Sequence, residues 1–556
     1  MNRSTKLALV LLFVLFVILR LAGLSLPYHQ DEWKNVSASE TLESAGAFFA
    51  HPPLQSLLFV SSRNIFGIDG MRLMPFVFSL LSAILLFVVL GRRSSQHSAL
   101  WALGLLTVCI YGVWGSLSVD VDGSILPFLF LLAVFFYDSF GISLPENKWK
   151  WFIAIIAVLF LGMMVKLSFV IVPGTLLIDW LWNNRKDIKS KQGSFVLIGG
   201  IVFVSVYVGL LYSIQAILPS FNIDFMLGHA KQFAGDGRSY LQIVVQSMKA
   251  IYYLSPLLLV PLVLIYKETL KRNSIFVIYI ILGLIFYLVI FDFSRGALDK
   301  YLMFLIIPLV AISGDIIAGL FQKWRLEKDK MILFSPKILA GLAGILFVIL
   351  IAINFLAHSV SALYPKTEWF SRIIHGNLNI LTPFTGGSGP IGFYVSFLFI
   401  FVAFVVSLAF ILLFLRNKKF GHFFLIVMIV TGVTYNLVFI EELSFAKING
   451  SAPEVMRSTV SFIANNDQIK KVLTYNDIGA RELSGIGKYA GRFYAAPQFE
   501  EGHRSKFAEF DGNYMIVGIP PIYQGFYSEF FSRCDSIFET QSVKITAVVY
   551  SCQIQK

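Results

Sequence analysis

Several charged residues stand at the ends of long apolar runs, where charge is costly and therefore informative. The segment PYHQDEWKN, residues 27–35, holds two adjacent carboxylates, Asp31 and Glu32, just past the first run. His51 and Arg72 flank the approach to the second run, and Asp120 and Asp122 follow the third. Lys166 interrupts GMMVKLSFVIVP, and Arg295, Asp299, Lys300 and Tyr301 precede a late run. Carboxylates and cations gathered at one leaflet suit one kind of substrate. The cations take a phosphate and an acid takes the proton of a reacting hydroxyl. Taken singly, each residue has a plainer role: a solvated pair for Asp31 and Glu32, a rigid proline turn in AHPPLQS (50–56), and a polar turn in SVDVDGSIL (118–126). Arg72 and Lys166 have snorkelling to the interface as theirs, and Lys300 with Tyr301 a simple interfacial anchor.

The elements that must position these residues are apolar helices. Of 556 residues, 57% are hydrophobic and only 14% charged, and the mean hydropathy is +0.74. That composition describes a polytopic α-helical membrane protein and argues against a soluble multidomain enzyme. Fifty-four Phe and nine Trp fit lipid-facing surfaces and interfacial belts. The net charge of +12 resides mostly in short loops, so it reads as a topology signal and not as a nucleic-acid surface. A span needs about 20 apolar residues. Runs at 6–25, 71–90, 99–117, 124–141, 150–165, 167–182, 194–218, 250–266, 274–292, 299–320, 337–358, 390–415 and 421–440 predict about thirteen spans. The first is read as a retained helix, and the two around Lys166 as a short helical hairpin. Basic loops at Arg92–Arg93, 183–191, 267–272, 322–330 and 416–419 alternate with the others and share a side with Arg3 and Lys6. The positive-inside rule makes that side cytoplasmic. The chain is then N-in and C-out, and the carboxylates lie outside.

Two external segments exceed connectors. Loop 25–70 contains KNVSASETLESAGAFF, which predicts a helix along the membrane surface. The chain divides into a transmembrane part, 1–440, and a tail, 441–556, expected as a small external α/β domain. In the tail KKVLTYND, NYMIVGIP and KITAVVYSCQI read as strands and SAPEVMRSTVSFIAN as a helix. Cys109 lies within an apolar run as packing, and Cys534 and Cys552 are both in the tail, where a disulfide is an open option. No cysteine or histidine pattern suggests a structural metal.

In order and spacing these motifs resemble the GT-C glycosyltransferases of family 39, which include protein O-mannosyltransferases and the aminoarabinose transferases of lipid A. The resemblance spans most of residues 1–440. The acidic pair of the family's first external loop is matched by Asp31-Glu32, and its HPPL by His51-Pro52-Pro53-Leu54. G-x-x-x-x-R-L-x-P is matched by GIDGMRLMP with Arg72, and an Asp before the fourth span by Asp122. The family's T-K turn stands here as Val165-Lys166, and [KR]-Y-x-x-x-x-x-P as KYLMFLIIP with Lys300 and Tyr301. Each motif is weak alone; six in the right order are not. Where the aminoarabinose transferases carry Lys beside the proline, this chain has His51. No loop is long enough for the luminal β-trefoil of eukaryotic mannosyltransferases.

The resemblance implies a GT-C fold and a sugar donor carried on polyprenyl phosphate in a bacterial or archaeal cytoplasmic (inner) membrane. A hydroxyl on a protein, lipid or envelope glycan would be the acceptor, and the transferred group a hexose or pentose. It implies Asp31 as general base in an inverting attack and Glu32 as a positioner of acceptor or sugar. Lys166, Arg72 and Lys300 would stabilise the leaving phosphate with His51 nearby, Tyr301 would belong to the donor site, and Asp122 would orient a cation or a sugar hydroxyl. No cofactor is expected. Asp31, Glu32 and Asp122 have the chemistry for a divalent ion, whereas the family implies a metal-independent reaction. A nucleotide-sugar site is not expected, since no Gly-rich phosphate loop stands on a strand–helix turn. Two other readings share the spans: a flippase or transporter of lipid-linked sugar, and an oligosaccharyl ligase or polymerase. No inverted repeat or pair of broken helices supports the first.

Overall fold

The computed structural model describes residues 3–552 except 29–30, 49, 185–189, 233–238, 292–297, 327–333, 357–358, 361–373, 377, 385–391, 495–498 and 520–524. Arg295 lies outside the described residues, as does the side chain of Asp299. Among the described residues nine helices are long and apolar enough to cross a membrane, or ten if the pair Gln96–Val108 and Ile110–Leu117 is one broken span. The other expected runs fall on shorter apolar helices at Ala250–Leu264 and Ser274–Ile290 and on Ile171–Asn184.

The broken pair bends by 65° at Cys109. Such a break orphans carbonyls on one side and N–H groups on the other. Arg20, fully buried in the first helix Arg3–Leu21, supplies the missing donors: Nη1 to Thr107 O at 3.1 Å and Nη2 to Leu106 O at 3.2 Å. On the other side Ile110 N donates to Asn436 Oδ1 at 2.9 Å. The bent end leads directly into residues 118–124. There Gly123 crosses Gly115 so closely that a Cβ on Gly123 would fall 2.4 Å from the Gly115 Cα. Only glycine permits that crossing, and it fixes where Asp120 and Asp122 stand.

Loop 25–70 forms three helices, Asp31–Ala38, Leu42–Phe48 and Pro53–Phe66, where the sequence predicts one near its start. The break is a local capping exchange: Ser44 N donates to Thr41 Oγ1 and Thr41 N to Ser44 Oγ, both at 3.0 Å. Such hydroxyls compete with the helix for backbone donors. The third helix begins at Pro53, whose fixed φ suits the first turn.

Strands β1 (Ser359–Val360), β2 (Ile380–Phe384) and β3 (Phe393–Ser396) form a small sheet before the last two long helices. The final helix, Gly421–Ser444, runs past residue 440. Beyond it five strands, β4 (Val472–Tyr475), β5 (Tyr489–Phe493), β6 (Asn513–Gly518), β7 (Asp535–Ser542) and β8 (Ile545–Ser551), form one mixed sheet in the order β5-β4-β6-β8-β7. Strands β4 and β6 are parallel and wholly buried, which is why they read as unbroken apolar runs. Edge strands β5 and β7 are partly exposed and more polar, which is why sequence reading passes over them. Cys534 and Cys552 are joined by a disulfide beside the β7–β8 pair.

The tail is seated on the helices at two places. Glu442, buried in the last long helix, accepts from Asn354 Nδ2 at 2.9 Å and from Asn449 Nδ2 at 2.7 Å, and Lys544 Nζ reaches Asn449 Oδ1 at 2.7 Å. Arg481, on helix Ala480–Gly485, forms an ion pair with Asp69 of the first loop.

Candidate active site

Helix Asp31–Ala38 sets its two carboxylates apart. Successive helical residues point about 100° from each other, so Asp31 and Glu32 face different surroundings. Glu32 is fully buried and meets the buried Arg72 through two contacts, 2.5 Å and 3.0 Å. Arg72 also donates to the carbonyls of Leu26, Pro27 and Leu117. All five guanidinium N–H groups are thereby spent on the protein. Val119 N donates to Glu32 Oε1 at 3.0 Å and Asn35 Nδ2 to Val119 O at 2.7 Å. The pair is a staple that holds this helix against residues 117–119. Arg72 and Glu32, expected at the phosphate and the acceptor, lie behind the site in this arrangement.

Asp31 points the other way and is about a third exposed, at 31%. Its carboxylate takes Lys34 Nζ at 2.7 Å and Lys300 Nζ at 3.1 Å. Lys300 also lies 3.4 Å from Asp120 Oδ2. Asp122 pairs with Lys166 at 2.5 Å, both nearly buried. Tyr301 unites the two pairs, with the Lys166 ammonium 4.8 Å and the Lys300 ammonium 5.0 Å from its ring centre. Lys166 takes its place because helix Pro145–Val165 stops there in extended backbone before the next turn. Below these groups a narrow crevice descends between helices, lined by Asp122, Tyr279, Tyr287, Tyr301 and Phe304. His51 belongs to the same cluster, its ring 6.2 Å from that of His229.

The electrostatics follow from this interleaving. Burial works against charge on Asp31, but Lys300 and Lys34 outweigh it and hold the carboxyl well below the usual range. Asp120 behaves alike, with burial opposed by Lys300 and Lys166. For Asp122 burial wins over Lys166, and its carboxyl is pushed up. Burial first, then the positive charge of Lys166, drives His51 down to about 3, so it is neutral in ordinary solution.

Residues 50–211, which carry His51, Arg72, Asp122 and Lys166, match the family described as dolichyl-phosphate-mannose-protein mannosyltransferase. The matched segment, under a third of the chain, is similar to that mannosyltransferase family, in keeping with the resemblance to family 39 of the GT-C class. The fold of the chain is similar to that of ArnT from Cupriavidus metallidurans in the apo state, with 15% identity, 99% of this chain and 98% of that one covered, and a TM-score of 0.54. ArnT from the same organism bound to undecaprenyl phosphate gives 14% identity, coverage of 98% and 97%, and a TM-score of 0.50. At such identities the likeness is one of fold. No curated protein matches the sequence significantly.

The structure gathers Asp31, Asp122, Lys166, Lys300, Tyr301 and His51 in one cleft and sets Glu32 with Arg72 behind it. It adds Lys34 and His229, and it gives Asp120 a partner in Lys300. Lys34 was legible as the i+3 partner of Asp31 on one helix face. His229 stands on helix Ile223–Gln232 of the long loop 219–249, and no spacing in the sequence links it to His51. Among the described residues no three His, Cys, Asp or Glu side chains are grouped to hold a metal ion. Chemically the cleft offers an exposed carboxylate beside two ammonium groups and a neutral imidazole. That set can take a proton and hold an anion at neighbouring points.

Proposed function

We propose that this transferase moves one sugar from a polyprenyl-phosphate donor to a hydroxyl acceptor on the external side of the membrane, with inversion. The observation that carries the reading is Lys300 placed between Asp31 and Asp120, with Lys166 beyond the shared Tyr301 ring. Asp31 takes the proton of the acceptor hydroxyl. The freed oxygen pair attacks the anomeric carbon, and the bond from that carbon to the phosphate oxygen breaks, leaving polyprenyl phosphate. Lys300 and Lys166 face the charge that develops on that phosphate, a preorganised electrostatic role that is usually among the largest in catalysis. Asp120 and Asp122 hold the two ammonium groups in place. His51, neutral, donates or accepts a single hydrogen bond there. The reaction runs without a metal, since each cleft carboxylate already has a lysine. The undecaprenyl phosphate bound by the ArnT relative supports this donor class.

The N-in, C-out orientation joins this proposal. The disulfide of the tail supports it, since such bonds persist in oxidising compartments. A one-sided charge cluster, not one at the midplane, favours transfer over the flippase reading.

The test is transfer in proteoliposomes from undecaprenyl-phosphate-linked monosaccharides, with envelope lipid and protein fractions as acceptors and mass spectrometry as readout. Sugar-bearing acceptor and free lipid phosphate are expected in equal amounts from the wild type and neither from Asp31→Asn. Full activity in that variant, or transfer only from oligosaccharide donors, overturns the assignment.

A further inference from the structure

The helical span that begins beside Lys300 ends at Trp324, and its length puts about 35 Å between them. At that far end lies a second cavity, of about 440 Å³, remote from the cleft. Its wall is apolar: Leu264, Leu320, Phe414 and Leu425. Its rim is basic: Lys323 and Lys418. Neither lysine has a carboxylate partner among the described residues, whereas every lysine of the cleft has one. Trp324 and His422 also line the cavity, stacked with ring centres 4.1 Å apart and planes within 2°. The indole Nε1 of Trp324 and the Nδ1 of His422 are buried without a hydrogen-bond partner among the described residues. Orphaned buried polar atoms are uncommon and call for a partner.

We propose that this cavity is a binding site for an anionic phospholipid. The phosphate is drawn to Lys323 and Lys418, and headgroup oxygens approach the Trp324–His422 stack. The acyl chains follow the apolar wall outward onto Leu412, Leu413 and Leu415, which are exposed on the outer helix surface. Basic pockets between spanning helices recognise such headgroups. The distance from Asp31 and Lys300 excludes the reacting donor as the occupant, so the site serves to seat the transferase in its bilayer.

Native mass spectrometry of the delipidated full-length chain tests this with phosphatidylglycerol, phosphatidylcholine and undecaprenyl phosphate added separately and in competition. Phosphatidylglycerol is expected to bind about tenfold or more tightly than phosphatidylcholine, given two basic residues at the site. The preference should vanish in K323Q/K418Q and persist in K267Q/K271Q, basic residues of the neighbouring helix Lys267–Arg272 that do not line the cavity. Leu415→Trp, an exposed position at the cavity mouth, should lower occupancy by either phospholipid. Equal binding of the two phospholipids, an unaltered preference in K323Q/K418Q, or displacement by equimolar undecaprenyl phosphate overturns the proposal.

Discussion

Lys300 Nζ lies 3.1 Å from Asp31 Oδ2, so the proposed base is held by the very cation proposed to receive the donor phosphate. A carboxylate in that grip is ionised but weakly basic. In the proposed reaction donor phosphate would compete for the ammonium, and Asp31 would regain basicity only when the donor is present. Binding and proton removal are thereby coupled through one side chain. Asp31→Asn should lower kcat about a hundred- to ten-thousandfold with donor affinity retained. Lys300→Gln should weaken donor binding and kcat together. The sign of the pH effect is fixed by the same contact. Asp31 titrates below an ordinary carboxyl, so the acid limb of kcat/KM lies below about pH 4. Removing Lys300 should move that limb upward. A limb that stays in place in Lys300→Gln would break the coupling.

Glu32 and Arg72 form a closed pair with neither side chain more than 1% exposed. Removing one partner leaves a buried charge alone, which costs about 3–5 kcal/mol. Glu32→Ala and Arg72→Ala should each lower Tm substantially, and the double variant should lose less than the sum of the two. Asp31→Asn, at a partly exposed position and with Asp120 still beside Lys300, should lower Tm less than either. Thermal unfolding of the four variants in one detergent decides between a staple and a substrate contact.

That difference between neighbours shows what a sequence conveys and what it withholds. Apolar runs, basic loops and the order of the motifs are one-dimensional, so the helical membrane fold and the members of the cleft were legible. Asp31 and Glu32 looked equivalent because adjacency in sequence says nothing of which side of a helix faces a partner 40 residues away. Arg20 drew no attention inside an apolar run, because its role depends on a break at Cys109 that no helix-breaking residue announces. Helices Asp31–Ala38 and Leu42–Phe48 read as one over KNVSASETLESAGAFF because hydroxyl capping competes locally with helix propagation. Asp120 and Asp122 are alike in the sequence, and the motif match favours Asp122; only the placement of Lys300 and Lys166 tells them apart.

His51 gives the acid side of the stability curve a distinct shape. Its folded-state pKa, about 3, lies below its unfolded value near 6.5. Above pH 6.5 it is neutral in both states and contributes nothing. As pH falls from 6.5 the unfolded chain takes the proton and the folded chain does not, so stability declines. Between pH 6.5 and 4.5 Asp31 and Asp120 remain ionised, and Asp122, pushed up by burial, acts in the opposite direction, so the share of His51 is the part of the decline that its replacement removes. His51→Asn should flatten it, as read from Tm in steps of pH.

The disulfide closes a separation of 18 residues in the tail. For a loop of that size the chain-entropy contribution is about 3 kcal/mol. Cys534→Ser with Cys552→Ser should make the tail more susceptible to limited proteolysis while the helical part resists as before. Equal protease resistance with and without the bond would show that the β7–β8 pairing suffices alone.

Arg481 and Tyr28 tie the tail to the helix that carries Asp31. The Arg481 guanidinium sits 5.8 Å from the Tyr28 ring centre and that of Arg72 sits 4.9 Å away, while Tyr28 OH donates to Ile68 O at 2.7 Å. Arg481 also pairs with Asp69, which is largely exposed. A pair so wet contributes at most about 1 kcal/mol to stability, so Arg481→Ala should barely move Tm. Its effect should appear in turnover instead. Tyr28 adjoins Arg72, Arg72 holds Glu32, and Glu32 sets the helix on which Asp31 stands, so loosening the tail lets the base wander. A kcat loss of about tenfold with unchanged donor KM is expected, because misplacement by a fraction of an ångström is costly at the reacting centre. The swap R481D/D69R should recover part of that loss, whereas R481D alone should not. If Arg481→Ala turns over like the wild type, the tail merely covers the helices and the line from Arg481 to Asp31 carries nothing.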